Sequence, residues 1–388
     1  MKARKTLGVL FTSALLCVAG LLLPGQVVHA ESVEINSTNF PDEQFRNFVR
    51  ERYDNDKNGM LSDTELSFAT TIKCDNKAIV DMTGIEYFTS LRRLDCDFNK
   101  LTSLDVSKNT ALEYLFCGSN QLTSLDVSKN TALIELLCAN NQLTSLDVSE
   151  NTKLNQLDCY KNKLTSLDVS RNTALTWLYC SNNELTSLDV SKNTALVRLW
   201  CHENQLTSLN ASGATALISL FCEENQLTSL NVSGATALRR LDCDKNQLTS
   251  LDVSKNTKLN RLVCDKNQLT SLDVRTVPVI KDAVENGLLR IYNDFKSYDS
   301  LQRKISELMV EKTVDIITVG YIVTVTDDGN GTASASKGFG IAGEEITLTA
   351  EPKAGYKFKE WKVNSGGVTV TDNRFIIATE DVEQIIGL

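Results

Sequence analysis

The chain has 388 residues, 42% of them apolar and 23% charged, with a formal charge of −9, enough for about two or three folded domains. Acidic balance repels phosphate backbones and anionic lipid, which excludes nucleic-acid and membrane-surface binding from the expected roles. Of two histidines only His202 lies beyond the first thirty residues, which rules out a His-Glu-x-x-His zinc site or a multi-histidine metal centre and argues against a Ser-His-Asp hydrolase.

Residues 1–30 read as a signal peptide. Lys2, Arg4 and Lys5 make a basic start, Leu7 to Leu23 are mostly apolar, and Val28-His29-Ala30 is a small-residue cleavage site. The helix-breaking Pro24-Gly25 pair favours cleavage over a membrane anchor, and Leu15-Leu16 before Cys17 do not suit a lipoprotein site. Cleavage removes the three basic residues and takes the formal charge from −9 to −12. No later apolar run reaches spanning length, and the four prolines leave no Leu-Pro-x-Thr-Gly sorting signal. The expectation is a secreted chain, or one loosely associated with the cell surface, with no membrane insertion after cleavage.

Residues 31–72 are expected to form a small helical cap. Phe45, Phe48, Val49 and Tyr53 recur at helical spacing after Pro41. The next twelve residues, Asp54 to Glu65, resemble an EF-hand loop at every position. The resemblance implies Ca2+ held by Asp54, Asp56 and Asn58, the Met60 carbonyl, Ser62 where a ligand often acts through water, and a bidentate Glu65, with Gly59 allowing the sharp turn. Sensor EF-hands come in pairs, so a lone loop points to a structural ion, and Leu61 needs apolar cover from somewhere other than a partner loop.

Residues 73–276 are organised by nine copies of a 21-residue unit from Leu91 to Val274, preceded by a degenerate coil around Ile72 and Cys74. Leu94, Leu115, Leu136 and their successors share one position, and Asn99, Asn120, Asn141 and theirs another. The pattern Leu-x-x-Leu-x-Cys-x-x-Asn-x-Leu resembles the leucine-rich repeat, with Cys in a slot usually held by Leu. That resemblance implies a solenoid whose short strands around Leu-x-Cys pair in parallel on a concave face. Leu94 and Cys96 would then point inward and Arg93, Asp95 and Asp97 outward. It also implies an asparagine ladder bonding backbone groups left open by a tight turn. The recurrent aspartates, such as Asp105 and Asp126, are expected to close their own turns. Ten cysteines recur once per coil from Cys74 to Cys264. Parallel side chains roughly 4.8 Å apart suit a buried column of thiols better than disulfides.

Residues 277–318 are expected to be a C-terminal cap and linker, with a helix over 278–287; residues 288–316 fit helix and strand equally. From 319 to 388 the chain alternates, with strands expected at Tyr321–Val325, Glu345–Thr349 and Val368–Thr371. Gly355-Tyr-Lys-Phe-Lys-Glu-Trp361 and Ser365-Gly-Gly367 resemble the small β modules of bacterial surface proteins. Such modules end on an alternating strand, which the closing stretch Asp381 to Leu388 departs from, so either a defective last strand or a shortened module is expected. Gly338-Phe-Gly-Ile-Ala-Gly343 leads toward a strand-like run and reads as a turn, not a dinucleotide site.

The whole order is similar to the secreted leucine-rich-repeat proteins of bacteria, loosely internalin-like. The resemblance implies an extracellular recognition or adhesion module for a protein or glycan, not an enzyme; the alternative is a structural spacer with no dedicated ligand. Outward concave positions vary while the rest of each coil is nearly fixed, and aromatics gather there. Tyr114, Phe116, Tyr160, Trp177, Tyr179, Trp200 and Phe221, with His202 beside them, are therefore the expected ligand-binding residues, spread over a patch of roughly 25 Å.

Overall fold

The computed structural model describes residues 32–278 and, beyond them, 307–309, 315–317, 321–327, 329–336, 339–340, 344–363, 368–376 and 382–387. The expected signal peptide, and all but the first residue of the helix expected over 278–287, lie outside the described residues.

Helix α1 spans Glu43–Tyr53, and Asp42 caps it by accepting the Phe45 N–H at 2.7 Å. The second oxygen of Asp42 accepts the Val80 N–H at 2.9 Å, so one side chain fastens the helix to the first coil. Phe45 and Val49 face inward; Phe40 meets Phe45 and Tyr87 at ring distances of 5.9 and 5.8 Å, and Tyr53 meets Phe88 at 5.3 Å. The approach of Phe40 requires Gly84, because a Cβ there would lie 2.2 Å from the Phe40 ring, and its φ of +103° also favours glycine. A short second helix, α2, spans Asp63–Phe68 with Ser62 and Glu65 forming a reciprocal capping box. Leu61 is fully buried, and the cover it needs comes from Val33–Glu34, which pairs antiparallel with Met60–Leu61. A strand of this chain stands where a second EF-hand loop would pair.

The solenoid carries an eleven-stranded parallel sheet. It runs from Thr71–Lys73 through Arg93–Asp95, Tyr114–Phe116 and each later repeat to Arg261–Val263, then to Glu307–Met309. Register is in step throughout, Ile72 opposite Leu94, Leu94 opposite Leu115, and so on to Leu262 opposite Leu308. Sequence left 288–316 ambiguous; the structure places 307–309 as another concave strand and pairs 315–317 with Ser271–Asp273 on the opposite wall. The coil order therefore continues into the segment expected to be cap and linker.

Two asparagine columns hold the coils together. In the expected one, Asn120 donates to the Cys96 and Cys117 carbonyls at 3.0 and 3.1 Å, and its Oδ1 accepts the Leu101 N–H at 3.0 Å. The second column was not anticipated. Asn109, Asn130, Asn151, Asn172, Asn193 and Asn256 are fully buried, and Asn151 donates to the Val127 and Asn130 carbonyls at 3.0 and 2.9 Å. Ala214 and Ala235 replace this asparagine in two coils. The preceding Gly213 and Gly234 let the backbones close up, since a Cβ would fall 2.0 Å from the Ser191 carbonyl or 1.7 Å from that of Ser212. There the convex wall becomes a parallel pair, Ser208–Asn210 with Ser229–Asn231.

The recurrent aspartates close their turns as expected: Asp105 and Asp126 each accept the N–H of the serine two residues on, at 2.9 Å. Those serine hydrogen bonds hold both carboxyls below the usual range. The ten cysteines are buried, with no disulfide among the described residues. Burial first, then neighbouring acidic groups, push the thiols up, Cys74 to about 12; they act as small apolar side chains.

The C-terminal module has its own core of Ile346, Leu348 and Phe375, packed with Val325, Trp361, Val363, Val368 and Val370. Tyr321–Asp327 and Glu345–Pro352 form strands where alternation placed them. Two expectations are corrected. Val368–Thr371 is not a ladder strand: Thr371 makes a single bridge to Arg374, and the strand falls at Arg374–Ile376, where pairing with Glu345–Thr347 is available. The closing stretch does form a strand, Val382–Gly387, paired with Tyr321–Asp327 and Trp361–Val363.

Candidate functional site

The loop between α1 and α2 gathers oxygens. Carboxylate oxygens of Asp54, Asp56 and Glu65 lie within 4.8 Å of one another. Asp54 and Glu65 are buried and Asp56 is exposed. Asp54 accepts the Asn58 and Gly59 N–H groups at 3.0 Å, Asn58 Oδ1 accepts the Met60 N–H at 2.7 Å, and Gly59 takes φ +80°. Glu65 accepts from the Asn55 N–H at 2.7 Å and from the Ser62 N–H and hydroxyl at 2.9 and 2.8 Å. Burial pushes the Glu65 carboxyl up, but these donors outweigh it and hold it below the usual range. The donor set is all oxygen, hard and anionic, which fits a hard divalent cation.

On the concave sheet each coil presents three outward positions, one before the strand leucine, one after it, and one after the cysteine. Trp177, Tyr179, Trp200 and Phe221 form a continuous array across three coils, with successive centroids 6.2, 4.5 and 5.6 Å apart. The Arg198 guanidinium lies 4.7 Å over the Trp177 ring.

The other expected residues stand apart from this array. Two coils bearing Glu135, Leu137, Gln156 and Asp158 separate Tyr114 and Phe116 from it. Phe116 is only 8% exposed, with the Arg93 guanidinium 4.3 Å over its ring, so it offers little contact surface. Tyr160 is exposed at the position after the cysteine and has no ring contact among the described residues. The expected single patch is thus a four-ring platform plus an Arg-covered pair and a lone tyrosine.

His202 adjoins the platform. Its Nδ1 and the Ser181 hydroxyl are 2.9 Å apart in a hydrogen bond, and Glu223 Oε1 is 3.7 Å away. The last contact has ion-pair distance without ion-pair character. Burial lowers His202 against the pull of Glu203 and Glu224, and burial, reinforced by Asp242, Asp244 and Glu224, pushes the Glu223 carboxyl up to about 8. Both side chains favour their neutral forms near pH 7.

Sequence reading put Asp97 outward but did not single out Asp97 and Asp244 as partly buried carboxylates sharing the position after the cysteine. Burial, then neighbouring carboxylates, raise Asp97 and Asp244 to about 6 each. Counting two residues on from each strand leucine and one past the cysteine would have found them.

A pH dependence follows. A carboxyl raised in the folded state favours folding below its unfolded value of 4.5 and loses that contribution as pH rises through about 8. Each unit is worth about 1.4 kcal/mol, and water reaching this quarter-exposed side chain screens part of it. Glu223→Gln should therefore match the parent near pH 4.5 and exceed its stability by on the order of 2 kcal/mol near pH 9. Urea denaturation at both pH values checks this, and a pH-independent difference would contradict it.

The parallel sheet, the 21-residue coil and the asparagine ladder define a leucine-rich-repeat protein. Residues 321–383 match the family model of the divergent InlB B-repeat domain. The chain is similar to internalin J of Listeria monocytogenes serotype 4b, 40% identical over 71 residues, which are 18% of this chain and 8% of that protein. Its structure is similar to the functional domain of InlJ from Listeria monocytogenes, described as including a cysteine ladder. That match has 26% identity and a TM-score of 0.63, covering 92% of this chain and 98% of that one. The internalin InlF of Listeria monocytogenes shares the fold at 21% identity, TM-score 0.52, covering 74% of this chain and 93% of its own. The chain is an internalin-like leucine-rich-repeat protein with a divergent InlB B-repeat domain near its C-terminal end. Among the described residues no helix is long and apolar enough to cross a membrane.

Proposed function

We propose that this chain is a non-enzymatic recognition or adhesion module, secreted or held loosely at a bacterial surface, that binds an extracellular protein or glycan on its concave face. The observation that carries the reading is the four-ring platform of Trp177, Tyr179, Trp200 and Phe221, half-buried on the concave sheet. Partly exposed Trp and Tyr supply rigid contact area at little entropic cost. Its likeness to the InlJ functional domain and to internalin J supports a surface role. Ca2+ in the Asp54–Glu65 loop is proposed as a structural ion that firms the solenoid's entrance.

A glycan and protein array probed with the chain should yield a ligand whose affinity falls at least roughly tenfold in Trp177→Ala with Trp200→Ala. Both side chains stand outside the coil interior, so thermal melting should stay close to the parent. The rings also stack on one another, Tyr179 and Trp200 at 4.5 Å, which favours the spacer reading if affinity in the double variant is unchanged.

A further inference from the structure

We infer that the partner of the concave face is a polypeptide segment carrying Lys or Arg on both sides of an apolar centre. The inference rests on the concave-face reading above and specifies its ligand.

The position after each cysteine forms a column along the sheet: Asp75, Asp97, Gly118, Ala139, Tyr160, Ser181, His202, Glu223, Asp244 and Asp265. It holds no Lys or Arg. Acidic groups occupy both ends, Asp75 and Asp97 at one and Asp244 and Asp265 at the other, with the ring platform between. Gly118 and Ala139 keep the column low next to Asp97, and Ser181, His202 and Glu223 occupy it beside the platform.

Three basic side chains of the face are engaged elsewhere on it, while Lys73 and Arg240 are exposed and make no ion pair among the described residues. Arg93 lies over Phe116, Arg198 lies over Trp177, and Arg261 is bonded to Asp242 at 3.0 Å. Asp97 and Asp244 have no ion pair among the described residues; Asp97 accepts only the Gly118 N–H, at 2.6 Å. Their raised affinity for protons comes from burial and from neighbouring carboxylates, Asp95 and Asp75 for Asp97 and Asp265 and Asp242 for Asp244, and an approaching cation relieves that repulsion. Neutral sugars leave these carboxylates uncompensated and acidic sugars are repelled, whereas Lys and Arg side chains supply the missing charge.

The geometry suits a chain of modest length. The strands of Asp97 and Asp244 are seven steps apart in the sheet. At about 4.8 Å per step that is roughly 34 Å, the reach of about ten extended residues.

The test uses the full chain and fluorescent peptides of about twelve residues. One has lysines at both ends and a Leu-Trp-Leu centre, a second has glutamates for the lysines, and a third has serines for the centre; a neutral hexasaccharide is the fourth probe. Anisotropy at low salt should show the lysine peptide binding at least roughly tenfold tighter than the glutamate or serine peptide, and weakening with added salt. Asp97→Asn with Asp244→Asn should lose roughly tenfold for the lysine peptide while its melting temperature holds or rises, since repulsion is removed. Equal binding of lysine and glutamate peptides, or no effect of the double variant, overturns the inference. Hexasaccharide binding that depends on Trp177 and Trp200, with no peptide binding, overturns it while leaving the concave-face reading intact. If no probe responds to substitutions at Trp177 and Trp200, both fail.

Discussion

Asn162→Ala should destabilise the solenoid by about 4 kcal/mol, and Asn151→Ala by only about half of that. Both asparagines are buried inter-coil residues eleven positions apart in the same chain stretch, yet they do different amounts of bonding. Asn162 donates to the Cys138 and Cys159 carbonyls at 3.1 Å, and its Oδ1 accepts the Leu143 N–H at 3.0 Å. Alanine there leaves a buried donor and two carbonyls without that partner, each costing about 1–3 kcal/mol when unmet. Asn151 uses only its donor side, and its own Oδ1 is buried without a partner, so its removal also relieves an unmet acceptor. The chain itself tolerates alanine at that second position, as Ala214 and Ala235. Coils contact only their neighbours, so the loss should centre on the coils around residue 162. Equilibrium denaturation with hydrogen exchange resolves both the size and the place. Equal costs for the two variants would show that the acceptor bond to Leu143 contributes nothing.

Calcium should stabilise the N-terminal cap by about 2.7 kcal/mol when its concentration is roughly a hundred times the dissociation constant. Asp54, Asp56 and Glu65 crowd their oxygens within 4.8 Å, an arrangement a divalent cation relieves. The gain should reach beyond the loop, because Met60–Leu61 pairs with Val33–Glu34 and Asp42 ties α1 to Val80. Hydrogen exchange should slow over residues 33–61 on adding calcium, and the Glu65→Gln variant should lose the calcium-dependent melting shift. No shift in the parent at millimolar calcium would reduce the loop to a turn closed by its capping box.

Much of this protein was legible because its information is local and repeated. The 21-residue period set the coil, identical positions in successive coils must stack, and the leucine-rich-repeat resemblance implied which way the leucine, cysteine and first asparagine columns face. The helix over Glu43–Tyr53 was legible for a similar reason, since its apolar spacing after Pro41 is local, whereas its Asp42 cap and the Ser62–Glu65 box emerged from the structure.

Tertiary structure decided everything that depends on which distant groups meet. Spacing could not show that Val33 covers Leu61, that 307–309 adds a concave strand, or that the asparagines of the second column are buried donors between coils and not loop residues. It placed the aromatics on one face but not their contacts. Arg93 covers Phe116, two polar-bearing coils interrupt the row, and four rings alone touch in sequence. The physical reason is that a period fixes where a side chain starts, whereas its rotamer and the neighbour it packs against fix what surface it leaves to a partner.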